Sequence, residues 1–343
     1  MRVLRSSTIS LSLGCSLIAI AAAGCGEQVS ERVWPSVKVI PTLSHNRILL
    51  AERWDTIATL TPKAAGFPFG FFVSSNGFAY YDQINHRLVG FDRKGNEVHT
   101  SDTALGGRES LGEIRNVRLL ADGRIAALDA NRHELVILSR DWSSMKRVNL
   151  RAKGRIEQFI PYGKSGFLLW TFDADRPFEV LDSAGAPLGT ISILWPQYRG
   201  LHPLTRSGIL ASDENENWVY AFSSGAGWFP YRGAQSRGFQ AYIEPLPFPA
   251  VLEQSEGSNT NAHLGRFTTA ARAGIVVSGT FYVLFGGKSD LRGRLIDEYR
   301  MSDGTYLKSL VVPPDGVALA ARAGKIYLLT ADPVVRVLSR AIQ

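Results

Sequence analysis

"LADGRIAALDANRHELVILSRDW", residues 120–142, decides the fold, because "SSNGFAYYDQINHRLVGFDRKG", residues 74–95, repeats its rhythm. Each has a turn glycine, a β-rich run ending in Asp, a polar turn, and a second β-rich run. The same glycine register is read at Gly77, Gly123, Gly166, Gly208, Gly274 and Gly324. After them come "FAYYD", "RIAALD", "FLLWTFD", "ILASD", "IVVSGTFYVLF" and "KIYLLT". A further run follows each polar turn: "RLVGFD", "ELVILS", "FEVLD", "WVYAFS", "RLIDEYR" and "VVRVLS". β-branched and aromatic runs bounded by Gly, Asp and Asn predict strands and hairpins. The glycines are spaced by 46, 43, 42, 66 and 50 residues. A period of about 40–50 residues with several strands in each predicts propeller blades. No segment after the leader sustains a 3.6-residue apolar period, which excludes a helical fold.

Five repeats carry a fourth run: "EVHTS", "MKRVNL", "PLGTISI", "GWFPY" and "TYLKSLVV". The sixth stops at Gln343, after its third run. An orphan run, "DTIATL" at 55–60, precedes the first repeat. Placed outside "VVRVLS", it completes the sixth blade and removes two exposed sheet edges. The expectation is an all-β, six-bladed β-propeller whose last blade is closed by the N-terminal strand 55–60. Asp82, Asn85, Asp129 and Asn131 recur at equivalent turns. That recurrence marks them as turn-builders rather than metal ligands.

Residues 106–138, "GGRESLGEIRNVRLLADGRIAALDANRHELVIL", resemble a repeat of the NHL type. A glycine-rich approach, a strand, a "DG" turn, a strand ending in Asp, an "NHR"-like turn and a third strand follow in order. The first repeat carries Asn85-His86-Arg87 itself; the later ones keep only the polarity. The resemblance implies a six-bladed ring. Such rings bind proteins, nucleic acids, glycans or small molecules, and some are lyases or hydrolases.

The leader gives an address. Arg2 and Arg5 precede the apolar run "STISLSLGCSLIAIAAAG", which ends at Ala22-Ala23-Gly24-Cys25. A basic start and a short apolar stretch form an export signal rather than a membrane span. The segment before Cys25 resembles a bacterial lipobox, which implies acylation at Cys25. The alternative is ordinary secretory cleavage near Ala23. With Cys15 removed, Cys25 stands alone, so neither an internal disulfide nor a cysteine metal site is expected. Gly26 instead of Asp resembles the outer-membrane sorting pattern. Residues 1–24 are thus expected as signal, 25–54 as lipidated N-terminus and tether, and 55–343 as propeller. The chain is expected at the periplasmic side of an outer membrane or at the cell surface. The formal charge of +7 falls to +5 without Arg2 and Arg5. The basic residues are scattered, which argues against nucleic acid and suits anionic lipid or glycan.

Departures from the repeat are candidate functional sites. The stretch 233–266, "GAQSRGFQAYIEPLPFPAVLEQSEGSNTNAHLGR", lies between the run "GWFPY" and the fifth repeat. The stretch 286–293, "GGKSDLRG", lengthens a hairpin of the fifth. Strand parity in antiparallel blades puts both on one face. Arg237, Phe239, Tyr242, Phe248, His263, Arg266, Lys288 and Arg292 are the candidate binding residues there. Aromatics with arginines suit an envelope protein, a glycan or a small anionic ligand. A lid over the ring wall is the alternative role for these loops.

No HExxH, phosphate-loop or G-x-S-x-G pattern occurs. Asp213-Glu214-Asn215-Glu216-Asn217 begins like a calcium loop, but Trp218 stands where Gly is needed and Ser224 where Glu is. It reads as a hairpin turn. No cofactor is identified from the residues. A divalent metal in the central channel is compatible with them, since propellers assemble sites from one residue per blade. That keeps a channel-centred hydrolase or lyase as the second reading, with Glu113, Arg115, Asn116, Glu157 and His202 near the axis. The leading reading is a binding protein.

Overall fold

The computed structural model describes residues 30–33, 47–60, 68–101, 111–112, 114–152, 154–172, 176–213, 216–256, 259–287 and 291–338. Six antiparallel sheets stand around one axis. Blade one runs, from the axis outward, Pro68–Val73, Gly77–Asp82, Arg87–Asp92 and Glu97–Thr100. Blade two is Ile114–Leu119, Ile125–Asp129, Glu134–Leu138 and Met145–Asn149. Blade three is Ile156–Tyr162, Gly166–Thr171, Phe178–Leu181 and Pro187–Ile191. Blade four is Gly208–Ser212, Asn217–Phe222 and Gly227–Arg232, with a broken outer strand of Gln235–Ser236 and Gln240–Ala241. Blade five is Ala271–Val277, Thr280–Phe285, Leu295–Arg300 and Tyr306–Val311. Blade six is Gly316–Arg322, Lys325–Thr330 and Val334–Leu338, completed by Trp54–Thr59.

The closure follows the expected plan. Trp54–Thr59 pairs antiparallel with Val334–Leu338, from Leu338↔Trp54 to Val334↔Thr59. The amide of Leu60, one residue beyond, donates to the Pro333 carbonyl at 2.8 Å. The innermost strands pack blade against blade around the whole ring, including the last against the first.

Between each pair of neighbouring blades lies one apolar cluster, six in all. This explains why the middle strands read as continuous apolar runs. Every residue of Gly77–Asp82 is buried. Ala79 and Tyr81 face blade two, whereas Phe78 and Tyr80 face blade six. Opposite sides of one strand thus enter different clusters, as the two-residue side-chain period requires.

Outer hairpins link the blades further. Trp142, in the third-to-fourth hairpin of blade two, stacks on His99 of blade one at 5.6 Å. Gly95 of blade one meets Thr59 of blade six so closely that an added Cβ would lie 2.2 Å from its carbonyl oxygen. Its φ of +92° is itself unfavourable for a side chain. The hairpin of blade five accepts a hydrogen bond from Arg237 of blade four at the Ser302 carbonyl, 2.6 Å.

Two strands come from the stretch expected as a tether. Leu49–Ala51 adds to blade five parallel to Tyr306–Val311. Ser30–Val33 pairs antiparallel with Val251–Glu256, part of a hairpin with Asn259–Leu264. Just before Leu49, Arg47 bonds the buried Asp297 carboxylate, Ser309 Oγ at 3.2 Å and Glu244 Oε2 at 3.3 Å. Its guanidinium lies 4.3 Å from the Phe285 ring centroid.

Burial raises the Asp297 pKa above the ordinary carboxylate value, with Arg47 acting against that rise. A raised folded-state pKa gives stability that is present at low pH and lost as pH climbs through it. Arg47→Met removes the opposing cation and enlarges the effect. The expected deficit is about 3–5 kcal/mol at pH 8, the usual cost of orphaning a buried charge. It should shrink toward pH 4 as Asp297 takes up its proton. Urea titrations of both proteins at the two pH values check this. A deficit that grows on acidification would refute it.

Candidate functional site

Chain direction fixes which loops share a face. Each innermost strand starts on one face, here the upper, and ends on the other. Second-to-third hairpins and the links between blades therefore open upward, and the remaining hairpins open downward.

The glycine register of two repeats needs correcting. Gly208 opens the innermost strand of blade four, so "GWFPY" belongs to its third strand rather than its fourth. Gly274 lies inside Ala271–Val277, and the turn is at Ser278 and Gly279. Residues 235–241 supply the outer edge of blade four, so the free-standing insertion spans 242–270. It still follows a fourth strand. Both it and 286–293 open on the upper face.

The insertion is pinned before it rises. The Tyr242 amide donates to Ala226 O at 2.9 Å, and its hydroxyl donates to Phe222 O at 3.0 Å. The Ile243 amide donates to Tyr299 Oη at 2.9 Å. Phe248 is buried against Gly225, where a Cβ would lie 2.2 Å from its ring. The hairpin Val251–Leu264 then begins, its base closed by the Gly265 amide on Ala250 O at 2.8 Å. Glu253 holds it near the link to blade four, with Oε1 3.3 Å from His202 Nε2.

The candidate binding residues therefore separate. Tyr242 and Phe248 are core residues of the insertion's foot. Phe239 stacks on Trp195 at 4.7 Å, and Arg237 locks blade four to blade five. His263, Arg266 and Arg292 are exposed on the upper face. Lys288, Cys25 and Glu113 lie outside the described residues.

Strand irregularities single out Arg115 and Glu157, two of the axis candidates, and add Arg272 to them. In five blades the innermost strand carries a bulge near its upper end. Bulges re-aim side chains and gather beside functional sites. Here they fall at Arg115, Glu157, Arg272 and Val317 in blades two, three, five and six. Arg155 Nε lies 2.7 Å and Arg115 Nη1 3.9 Å from Glu157. Arg272 donates to Gly316 O at 2.9 Å, and Gly293 of the blade-five hairpin packs against its guanidinium. Burial lowers the Arg272 pKa. The positive charge of Arg292 lowers it further, against an opposing pull from Asp315. Arg272 and the exposed Arg292 thus lie on neighbouring parts of the upper face of blade five.

Polar bonds tie the innermost strands together. Arg118 of blade two reaches past blade three to Leu210 O of blade four at 2.5 Å. Burial pulls its guanidinium down to about 10. Gln158 ties Gly208 O at 2.6 Å and the Leu210 amide at 2.8 Å. Asn116 is buried and accepts from the Phe159 amide at 3.4 Å. Asp129 and Asp82 are buried turn-builders, bonding the Gly112 and Arg132 amides and the Ile84 and Asn85 amides respectively. Asp213 likewise receives the Asn217 amide at 3.0 Å, as the hairpin reading expects. Among the described residues, no three His, Cys, Asp or Glu side chains form a metal-binding group.

No protein-family model matches the chain, and no curated protein matches its sequence. Solved structures do. A streptogramin B lyase superposes at a TM-score of 0.50, covering 83% of this chain and 97% of that one at 8% identity. A catalytically inactive virginiamycin B lyase from Staphylococcus aureus, solved with quinupristin, gives 0.51 over 83% and 98% at 6% identity. The likeness is one of fold. BamB from Moraxella catarrhalis matches more loosely, at 0.44 over 81% and 85% with 14% identity.

Proposed function

We propose that this chain is an exported, membrane-anchored propeller that binds an anionic ligand at the channel mouth of its upper face. The observation that carries the reading is the placement of Arg272, at the irregular start of the innermost strand of blade five and against Gly293, beside the exposed Arg292 of the adjoining hairpin. Like charges so placed repel each other, and an anion between them relieves the repulsion. Arginine adds a planar set of donors that matches phosphate, sulfate and carboxylate. An envelope glycan or the acidic surface of an envelope protein presents the required groups. The anchor is the acylated Cys25, supported by the lipobox-like residues before it.

Retention on a sulfated glycan column tests the site. Arg272→Gln and Arg292→Gln should each weaken retention about tenfold, the worth of one charged hydrogen bond. Arg292 is exposed, so its variant keeps the fold intact. Unchanged retention in both would overturn the reading. In cells, Cys25→Ala should move the protein out of the acylated membrane fraction.

A further inference from the structure

We infer that the upper face lies against the membrane and that the anion it meets there is a lipid headgroup. This rests on the anion-binding and lipid-anchor reading above and goes further by fixing the ligand's source. Three observations converge on it.

The first is the attachment point. Ser30 pairs with Ser255, and the ladder runs on to Val33 and Leu252. This strand therefore joins the hairpin that opens on the upper face. Only five residue steps separate Cys25 from Ser30. Fully extended, they span at most about 18 Å. An acylated Cys25 cannot then stand on the far side of the ring from that hairpin.

The second is where apolar side chains are exposed in loops. Ile84, in the blade-one upper hairpin, is 65% exposed; Leu194, in the link to blade four, is 74% exposed; Phe267, after the insertion's hairpin, is 48% exposed. Among the described residues, the lower-face hairpins expose no comparably large apolar group. The remaining exposed apolar residues sit on outer strands or, at Ile48, directly before one.

The third is charge. Arg266 adjoins Phe267, and Arg292 projects from the neighbouring hairpin. Apolar tips among arginines match the acyl–headgroup boundary, where the tips enter and the cations meet anionic lipid.

The test uses residues 26–343, which retain every described strand and contain no cysteine. Co-sedimentation is measured with phosphatidylcholine vesicles, with and without phosphatidylglycerol. Binding is expected only with phosphatidylglycerol. Arg266→Gln with Arg292→Gln should reduce it about twenty-five-fold, near fivefold for each arginine at an anionic surface. Leu194→Ser with Phe267→Ser should also weaken it, and the lower-face pair Lys164→Gln with Lys325→Gln should not. Phe267→Cys and Ser75→Cys, each carrying an environment-sensitive dye, report the orientation. A blue shift at 267 and none at 75 supports the inference; any other pattern overturns it. Retention on the sulfated glycan without vesicle binding overturns the membrane placement and leaves the anion site standing. Loss of both overturns both.

Discussion

A chain lacking residues 54–60 is expected to lose its cooperative thermal transition. Trp54–Thr59 is the outer strand of blade six and covers Val334–Leu338. Ala58 and Leu60 fill the cluster between blades six and one, with Val335, Leu329 and Phe71. Removing them opens the ring inside blade six, where Val334–Leu338 and Trp54–Thr59 come from opposite ends of the chain and meet by hydrogen bonds. It also bares a strand edge that can recruit another molecule. Leu60→Ala is the graded version. The side chain is 1% exposed, and its truncation should cost about 2–5 kcal/mol. That is a large share of a domain stability of about 5–15 kcal/mol. Calorimetry on both proteins reads the result. An unaltered transition in the deletion would show that the ring closes without its N-terminal strand.

Trp218→Ala is expected to cost about 3–5 kcal/mol, as truncation of a buried large aromatic does. Trp218 is 1% exposed in the cluster between blades three and four. It stacks on Tyr231 at 3.8 Å and meets Phe178 edge-on at 5.0 Å. Its indole N–H donates to Gly233 O at 2.7 Å. Trp218→Phe keeps most of the packing and loses that bond, so it should cost about 1 kcal/mol for the bond. Denaturant titration separates the two variants. Equal losses would mean that the hydrogen bond, rather than the packing, holds the residue in place.

The closing strand was legible in the sequence because two oddities had one solution. A repeat short of a strand and a strand short of a repeat fit each other. The register of blade four departs from the sequence expectation for a physical reason. Its second-to-third turn, "SSGAG", contains the buried residues Ser224 and Ala226 and lacks charge. The charged turn after Ser212 looked like the equivalent of "DQIN" and drew the alignment by one strand. The direction of the insertion survived, because only its starting point moved. The aromatic residues of that insertion were indistinguishable from ligand contacts in sequence. Tyr242, Phe248 and Phe239 serve as its foundations, and a pinned loop needs the same apolar side chains as a binding loop. Sequence alone places Arg115 near the axis but does not join Arg272 to it, because a bulge leaves no trace in a single sequence. The pairing of Arg47 with Asp297, 250 residues apart, was invisible for the same reason.

Arg47 and the short parallel ladder beside it set the order in which tension would reach the ring. A tug on the N-terminus meets Ser30–Val33 first, then the Arg47–Asp297 bolt and Leu49–Ala51, and only then Trp54–Thr59. Such force would thus be absorbed upstream of the clasp that keeps the circle shut. Separate stretches of the N-terminal segment thus carry the outer load and the closure of the ring.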